Sequence, residues 1–130
     1  MQKEQLQEYL EFAKNIAREA GQVMHQYYRA DQKVEEKSDH SPVTVADTII
    51  NSMLIERVKN TFPDHGVMGE EESWQAEKPV VWVCDPIDST VSFIVHIPTF
   101  TFALALGVRL IANHGAVWSG CLIADGSVVG

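Results

Sequence analysis

Leu6, Tyr9, Leu10, Ala13, Ile16, Ala17, Ala20, Met24 and Tyr27 recur at three- and four-residue spacing, and this stripe constrains the fold more than any other feature of the sequence. Residues so spaced share one helix face, so the pattern predicts a long amphipathic helix that must bury its stripe against another element. A second helix is expected after Thr44. Thr44-Val45-Ala46-Asp47 has capping-box spacing, in which the threonine hydroxyl and the acidic side chain three residues on satisfy free backbone N–H groups. Ile50, Met53, Leu54, Val58 and Phe62 supply its apolar face, and Pro63 ends it because the residue before a proline is pushed out of the helical region. Between the helices, Arg29 to Pro42 is polar and aperiodic and reads as a connection.

Past Pro63 the period changes. Pro63-Asp64-His65-Gly66 reads as a turn, Val67-Met68 as a short strand, and Val80 to Cys84 as an apolar strand bounded by Pro79 and Asp85-Pro86. Thr99 to Leu106 reads as a buried strand, and Ala116-Val117-Trp118 and Ser127-Val128-Val129 as short strands separated by glycine turns. Helix, helix, then strands predicts an α+β fold with two N-terminal helices packed on a largely antiparallel sheet. With 130 residues, 45% of them hydrophobic, a single domain over 1–130 is expected. The pattern breaks off at Gly130 without a closing helix or polar tail, which reads as the mark of a fragment.

The formal charge of −8 argues against nucleic acid, whose binding rests on lysine and arginine neutralising phosphates. The charged start, Met1-Gln2-Lys3-Glu4-Gln5, does not resemble a secretory signal, so a cytoplasmic location is expected. Cys84 and Cys121 belong to no CxxC and read as reduced core thiols. Ser89 to Val108 is uncharged but contains His96, Pro98 and several hydroxyl residues, so it reads as strand and not as a membrane span. His25, His40, His65, His96 and His114 are scattered without ligand spacing; none is assigned to a metal, and His65 is placed in its turn.

Acidic residues cluster where strands are predicted to end. Asp85 and Asp88 flank Pro86, and two readings stand: a structural turn, in which aspartate and proline are common, or a pair of oxygen ligands suited to Mg²⁺. Gly69-Glu70-Glu71-Glu72 is likewise either a solvated acidic loop or a set of carboxylates whose mutual repulsion a cation relieves; Glu72 is read as solvated. A bound cation inverts the local charge, which lets an acidic protein take a small phosphate.

Three segments together are more specific than any one. Pro42-Val43-Thr44-Val45-Ala46-Asp47, Phe62-Pro63-Asp64-His65-Gly66-Val67-Met68-Gly69-Glu70-Glu71, and Trp82-Val83-Cys84-Asp85-Pro86-Ile87-Asp88-Ser89-Thr90, followed by Phe93 and Pro98, agree in order and spacing with P-V-T-x-A-D, F-P-D-H-x-x-x-G-E-E, W-x-x-D-P-I-D-G-T and F-x-x-x-x-P. Over about residues 6 to 106 the chain therefore resembles the inositol monophosphatase family of Mg²⁺-dependent, lithium-sensitive phosphatases. The resemblance implies the first half of an αβαβα sandwich and a homodimer acting on a small polyol or sugar-like phosphate. It implies that Glu70 and Asp85 ligate a first Mg²⁺ with the Ile87 carbonyl, that Asp85 and Asp88 contribute to a second, and that Glu70 touches a weaker third. It implies that Thr90, paired with Asp47, positions and helps deprotonate the attacking water. The amides of Ser89 and Thr90, opening a helix, would receive phosphate oxygens, a use that a helix N-terminus favours. Lys37-Ser38-Asp39 lies where relatives carry a mobile segment at the site, and otherwise reads as a solvated loop. The stretch Lys37 to Thr44 also resembles the K-x-D-x-S-P-V-T of histidinol-phosphate phosphatases and 3′-phosphoadenosine nucleotidases, so the ester is not fixed by sequence.

The chain departs from the pattern in three places. Ser89 stands where the family has glycine; at a positive φ it costs on the order of 1 kcal/mol, and weakened catalysis is expected. The family completes its site with a W-D-x-A-A-G segment that these 130 residues lack, so impaired two-metal chemistry is expected. Arg109 to His114 fits poorly the strand, tight turn and strand that the resemblance calls for. Beside the phosphatase reading stand a truncated non-catalytic paralogue that binds a cation or a full-length partner, and an acidic surface protein without a metal role.

Overall fold

The computed structural model describes residues 2–28, 34–36, 42–88, 101–112 and 115–127. Helix α1 spans Lys3–Tyr27 and buries Tyr9, Ala13, Ile16, Ala20 and Met24, five members of the predicted stripe, while Leu6 in its first turns stays exposed. Helix α2 spans Val45–Thr61. It closes as expected before Pro63, with the Phe62 N–H donating to the Val58 carbonyl at 2.8 Å and the His65 N–H to the Phe62 carbonyl at 2.9 Å. Its buried face is broader than the apolar pattern predicts, taking in Asp47, Asn51 and Ile55 beside Ile50, Leu54 and Val58.

The interhelix connection is not wholly irregular. Strands β1 (Val34–Glu36) and β2 (Pro42–Thr44) pair antiparallel, with Val34 opposite Thr44 and Glu36 opposite Pro42. Three-residue strands of this polar composition carry no alternation long enough to read.

The main sheet comprises β3 (Gly66–Gly69), β4 (Ser73–Trp74), β5 (Val80–Asp88), β6 (Thr101–Ala112) and β7 (Gly115–Ser127), in the order β4-β3-β5-β6-β7 among the described residues. Only β3 and β5 pair in parallel; the other three pairings are antiparallel, which makes the fold the expected α+β. Asp85-Pro86 does not end β5 in a turn. The strand runs on to Asp88, and its register with β6 slips between Asp85, opposite Ala103, and Asp88, opposite Thr101. Proline has no N–H to give the ladder, so it is accommodated where the ladder is already irregular.

Strand β6 likewise continues beyond Leu106, and the short strand expected at Ala116-Val117-Trp118 is part of the longer β7, while Val128 and Val129 of the second expected strand lie outside the described residues. Gly107 faces Cys121 and Val108 faces Ser119, which leaves Gly120 as the extra residue of a bulge; pairing then resumes to Ala112 opposite Gly115. The region from Gly107 that fits the family motif poorly by sequence is thus strand up to Ala112 and strand again from Gly115.

Period-two alternation decides which sheet face meets the helices. Trp82 and Cys84 of β5, Phe102, Leu104 and Leu106 of β6, and Val67 of β3 join the buried faces of α1 and α2 in one core. On the other face Met68 and Val83, partners across β3 and β5, are each 37% exposed. No helix among the described residues is long and apolar enough to cross a membrane.

Trp82 is the centre of this core. Its ring lies 4.9 Å from that of Phe12 and 6.1 Å from those of Tyr9 and Phe62, and its indole N–H donates to His65 Nδ1 at 3.2 Å. His65 stacks on Phe62 at 4.8 Å. His65 therefore belongs to its turn, as expected, but as a buried acceptor. Burial holds the imidazole below its ordinary pKa of 6.5, against opposing pulls from Asp64 and Glu8. A proton on Nδ1 would also set donor against donor at the Trp82 N–H. Because the unfolded chain binds this proton more readily, stability from this group is complete above pH 6.5 and falls as the pH drops below it. Urea unfolding at stepped pH should show that decline, and His65→Gln, which keeps an acceptor but does not titrate, should flatten it.

Candidate metal and phosphate site

The parallel pairing of β3 with β5 brings the two acidic segments together. Gly69 lies opposite Cys84, and the Glu70 N–H donates to the Cys84 carbonyl at 3.1 Å. Glu70, just past the end of β3, and Asp85, within β5, therefore each follow a paired residue and sit at the same level of neighbouring strands. Such strands lie about 5 Å apart, so the two backbones are held within reach of a common ligand.

The loop after β3 is fixed from below by helix α2. Asn51, 1% exposed, accepts at Oδ1 from the Glu71 N–H at 3.1 Å and the Glu72 N–H at 3.3 Å, and donates from Nδ2 to the Glu72 carbonyl at 2.8 Å. Glycine at 69 permits this approach, since a Cβ there would overlap Asn51 Oδ1 and the Glu72 carbonyl. Ser73 closes the loop, its hydroxyl donating to the Gly69 carbonyl at 3.4 Å.

The acids act electrically on one place. Glu71 Oε1 and Asp85 Oδ1 are sealed from solvent, although both residues are only half-buried. The Cys84 thiol is pushed far above the ordinary thiol range, first by burial and then by the charges of Asp85, Glu70 and Glu71 in that order. Cys84, a free buried cysteine, thus stays protonated, and the side chains of Glu70, Glu71 and Asp85 offer oxygen donors. Oxygen donors of high charge suit Mg²⁺ and similar hard cations, so the chemistry of this set fits the implied metal.

Asp47 lies in the first turn of α2, 1% exposed, one helical turn before Asn51. Ile87 is buried in the irregular stretch of β5, and Asp88 ends that strand. Ser89, Thr90 and Lys37 to Asp39 fall outside the described residues. Among the described residues no group of three or more His, Cys, Asp or Glu side chains stands as a formed metal cluster. Sequence reasoning missed Asn51. The available signal was its place four residues after Asp47, between Ile50 and Leu54 on the apolar face of α2, where a polar side chain needs a buried partner.

The fold and site together define an α+β domain that presents carboxylates side by side from two parallel strands, beside a helix carrying a buried aspartate. Residues 5–124 match the sequence profile of the inositol monophosphatase family. The chain is 36% identical over 94 residues to the chloroplastic bifunctional phosphatase IMPL2 of Arabidopsis thaliana, covering 70% of this chain and 27% of that protein. It is 32% identical over 121 residues to human inositol monophosphatase 1, covering 87% of this chain and 43% of that one. Among solved structures, an IMPase/NADP phosphatase complexed with Mg²⁺ and phosphate superposes with a TM-score of 0.67 at 21% identity, over 89% of this chain and 52% of that one. This chain belongs to the inositol monophosphatase family. It spans less than half the length of these two curated relatives. The match extends past the three motifs to residue 124, over β6 and into β7.

Proposed function

We propose that this chain, as a single domain, is the carboxylate-bearing half of a Mg²⁺-dependent phosphomonoesterase acting on small polyol or sugar-like phosphates. The observation that carries the reading is the register of β3 against β5, which brings the backbone of Glu70 beside that of Asp85, where one oxygen of Glu71 and one of Asp85 are sealed from solvent. In this reading Glu70, Asp85 and the Ile87 carbonyl hold one Mg²⁺, and Asp85 and Asp88 contribute to a second. When bound, the metal would lower the pKa of a water and neutralise charge on the phosphoryl group.

The chain's own residues supply the rest. Thr90 takes a proton from the water and passes it toward Asp47, whose burial in the first turn of α2 keeps bulk water from competing for it. The water oxygen then bonds to phosphorus as the ester oxygen leaves on the opposite side, taking up a proton from a solvent water, while the attacking water's proton rests on Asp47. The amides of Ser89 and Thr90 hold the phosphate oxygens. The reading also takes the enzyme to be a cytoplasmic homodimer with no nucleic-acid or membrane partner, in keeping with its charge of −8.

The test is phosphate release from inositol monophosphate, histidinol phosphate and a 3′-phosphoadenosine nucleotide, with and without Mg²⁺, beside thermal melts over the same Mg²⁺ range. Mg²⁺-dependent turnover is expected, strongest on the polyol ester. Saturable stabilisation by Mg²⁺ without turnover would make the chain a binding paralogue, and the absence of any Mg²⁺ effect on melting would remove the metal from the reading. Ser89→Gly should raise the rate by about fivefold, the equivalent of about 1 kcal/mol in the barrier. An unchanged rate would show that the serine is tolerated.

A further inference from the structure

We propose that Asn51 is the positioning residue that sets Glu70 against Asp85, an inference that rests on the metal reading of the site. Three carboxylates in sequence, Glu70 to Glu72, repel one another and Asp85 nearby, and a loop under that strain would splay into solvent. Asn51 opposes this with three hydrogen bonds to the backbone just after Glu70, at 2.8, 3.1 and 3.3 Å. The Glu70 N–H bond to the Cys84 carbonyl fixes the other side. Glu70 is thereby clamped between β5 and α2.

The amide is suited to this task. It both accepts and donates, as the two Glu N–H groups and the Glu72 carbonyl require, and it does so without charge. An aspartate would keep the acceptor, lose the donor and add a fifth negative charge to those of Glu70, Glu71, Glu72 and Asp85. Asn51 also lies one turn from Asp47 on α2, so the helix that carries the proposed proton acceptor also carries the anchor of the metal loop. A shift of α2 relative to the sheet would displace both together.

The experiment measures amide hydrogen exchange in EDTA and Mg²⁺ affinity by titration calorimetry for wild type, Asn51→Ala and Asn51→Asp. In Asn51→Ala, exchange at Glu71 and Glu72 should rise at least about tenfold with α1 protection unchanged, and the Mg²⁺ Kd should rise about 10- to 100-fold, the usual cost of losing a group that orients a metal ligand. Asn51→Asp separates positioning from simple charge. Positioning predicts weaker Mg²⁺ binding despite the added negative charge, whereas a purely electrostatic role predicts tighter binding and would overturn the proposal. Faster exchange with an unchanged Kd would reduce Asn51 to a structural contact. Should Asn51→Ala fail to fold by circular dichroism, Asn51→Asp, which keeps the side chain's volume, carries the test alone. If the wild-type chain itself gives no saturable Mg²⁺ heat, the metal reading fails and this inference falls with it.

Discussion

Trp82→Ala is expected to cost about 3–5 kcal/mol of folding stability, enough to leave a domain of ordinary marginal stability largely unfolded. Trp82 is fully buried on β5, paired with Val67 on β3 and Leu106 on β6, and so stands in the middle of the sheet. Its ring is packed by Tyr9 and Phe12 from α1 and by Phe62 and His65 from the end of α2. Alanine would open a cavity that three elements border and that none can fill alone, since each is tied by its own backbone ladder. It would also leave His65 Nδ1 buried without the Trp82 N–H. Trp82→Phe keeps part of the aromatic packing but loses that bond and some ring volume, so it should cost less than alanine, about 1–3 kcal/mol. Urea unfolding followed by circular dichroism distinguishes the two. Equal costs for Ala and Phe would mean that the hydrogen bond, and not the packing, carries the stability.

The helices were legible because burial leaves a 3.6-residue signature, and α1 buries five of the residues that carry it. The pairing of Glu70 with Asp85 was not derivable from residue types. It depends on a parallel register between strands separated in sequence by β4, and nothing local in Val67-Met68 or in Val80 to Cys84 states that register. Motif resemblance named these two residues together, and the ladder supplies a physical reason for their proximity. Pro86 misled because proline ends a regular strand but is tolerated at a bulge, and a bulge is visible only once its partner strand is in place. Asn51 escaped for a related reason. A single amide on an apolar helix face has no periodic signature, and its hydrogen-bond partners lie twenty and twenty-one positions away in sequence. The polar β1/β2 pair marks the lower limit of what patterning can show.

Asp85→Asn is expected to abolish Mg²⁺-dependent turnover, by on the order of 10²-fold or more, while leaving the metal-free protein as stable as the wild type or more so. The two effects have one cause. Asp85 is the largest of the three charges raising the Cys84 thiol, ahead of Glu70 and Glu71, and one of its oxygens is sealed from solvent. Without a cation, these charges repel each other across a poorly hydrated space, and the folded state bears that cost. Asparagine preserves the shape, removes one charge and relieves the repulsion. With Mg²⁺ present the balance reverses, because the charge that destabilised the empty site is the one that would hold the ion, and deleting one electrostatic partner of a transition state typically costs about 10²–10³ in rate. Melting curves in EDTA and in Mg²⁺ should therefore cross over: the variant equal or higher in EDTA, and the wild type higher once Mg²⁺ is added. A variant that melts lower in EDTA yet keeps the full Mg²⁺ shift would place the metal elsewhere and return Asp85 to the role of a bulge residue in β5.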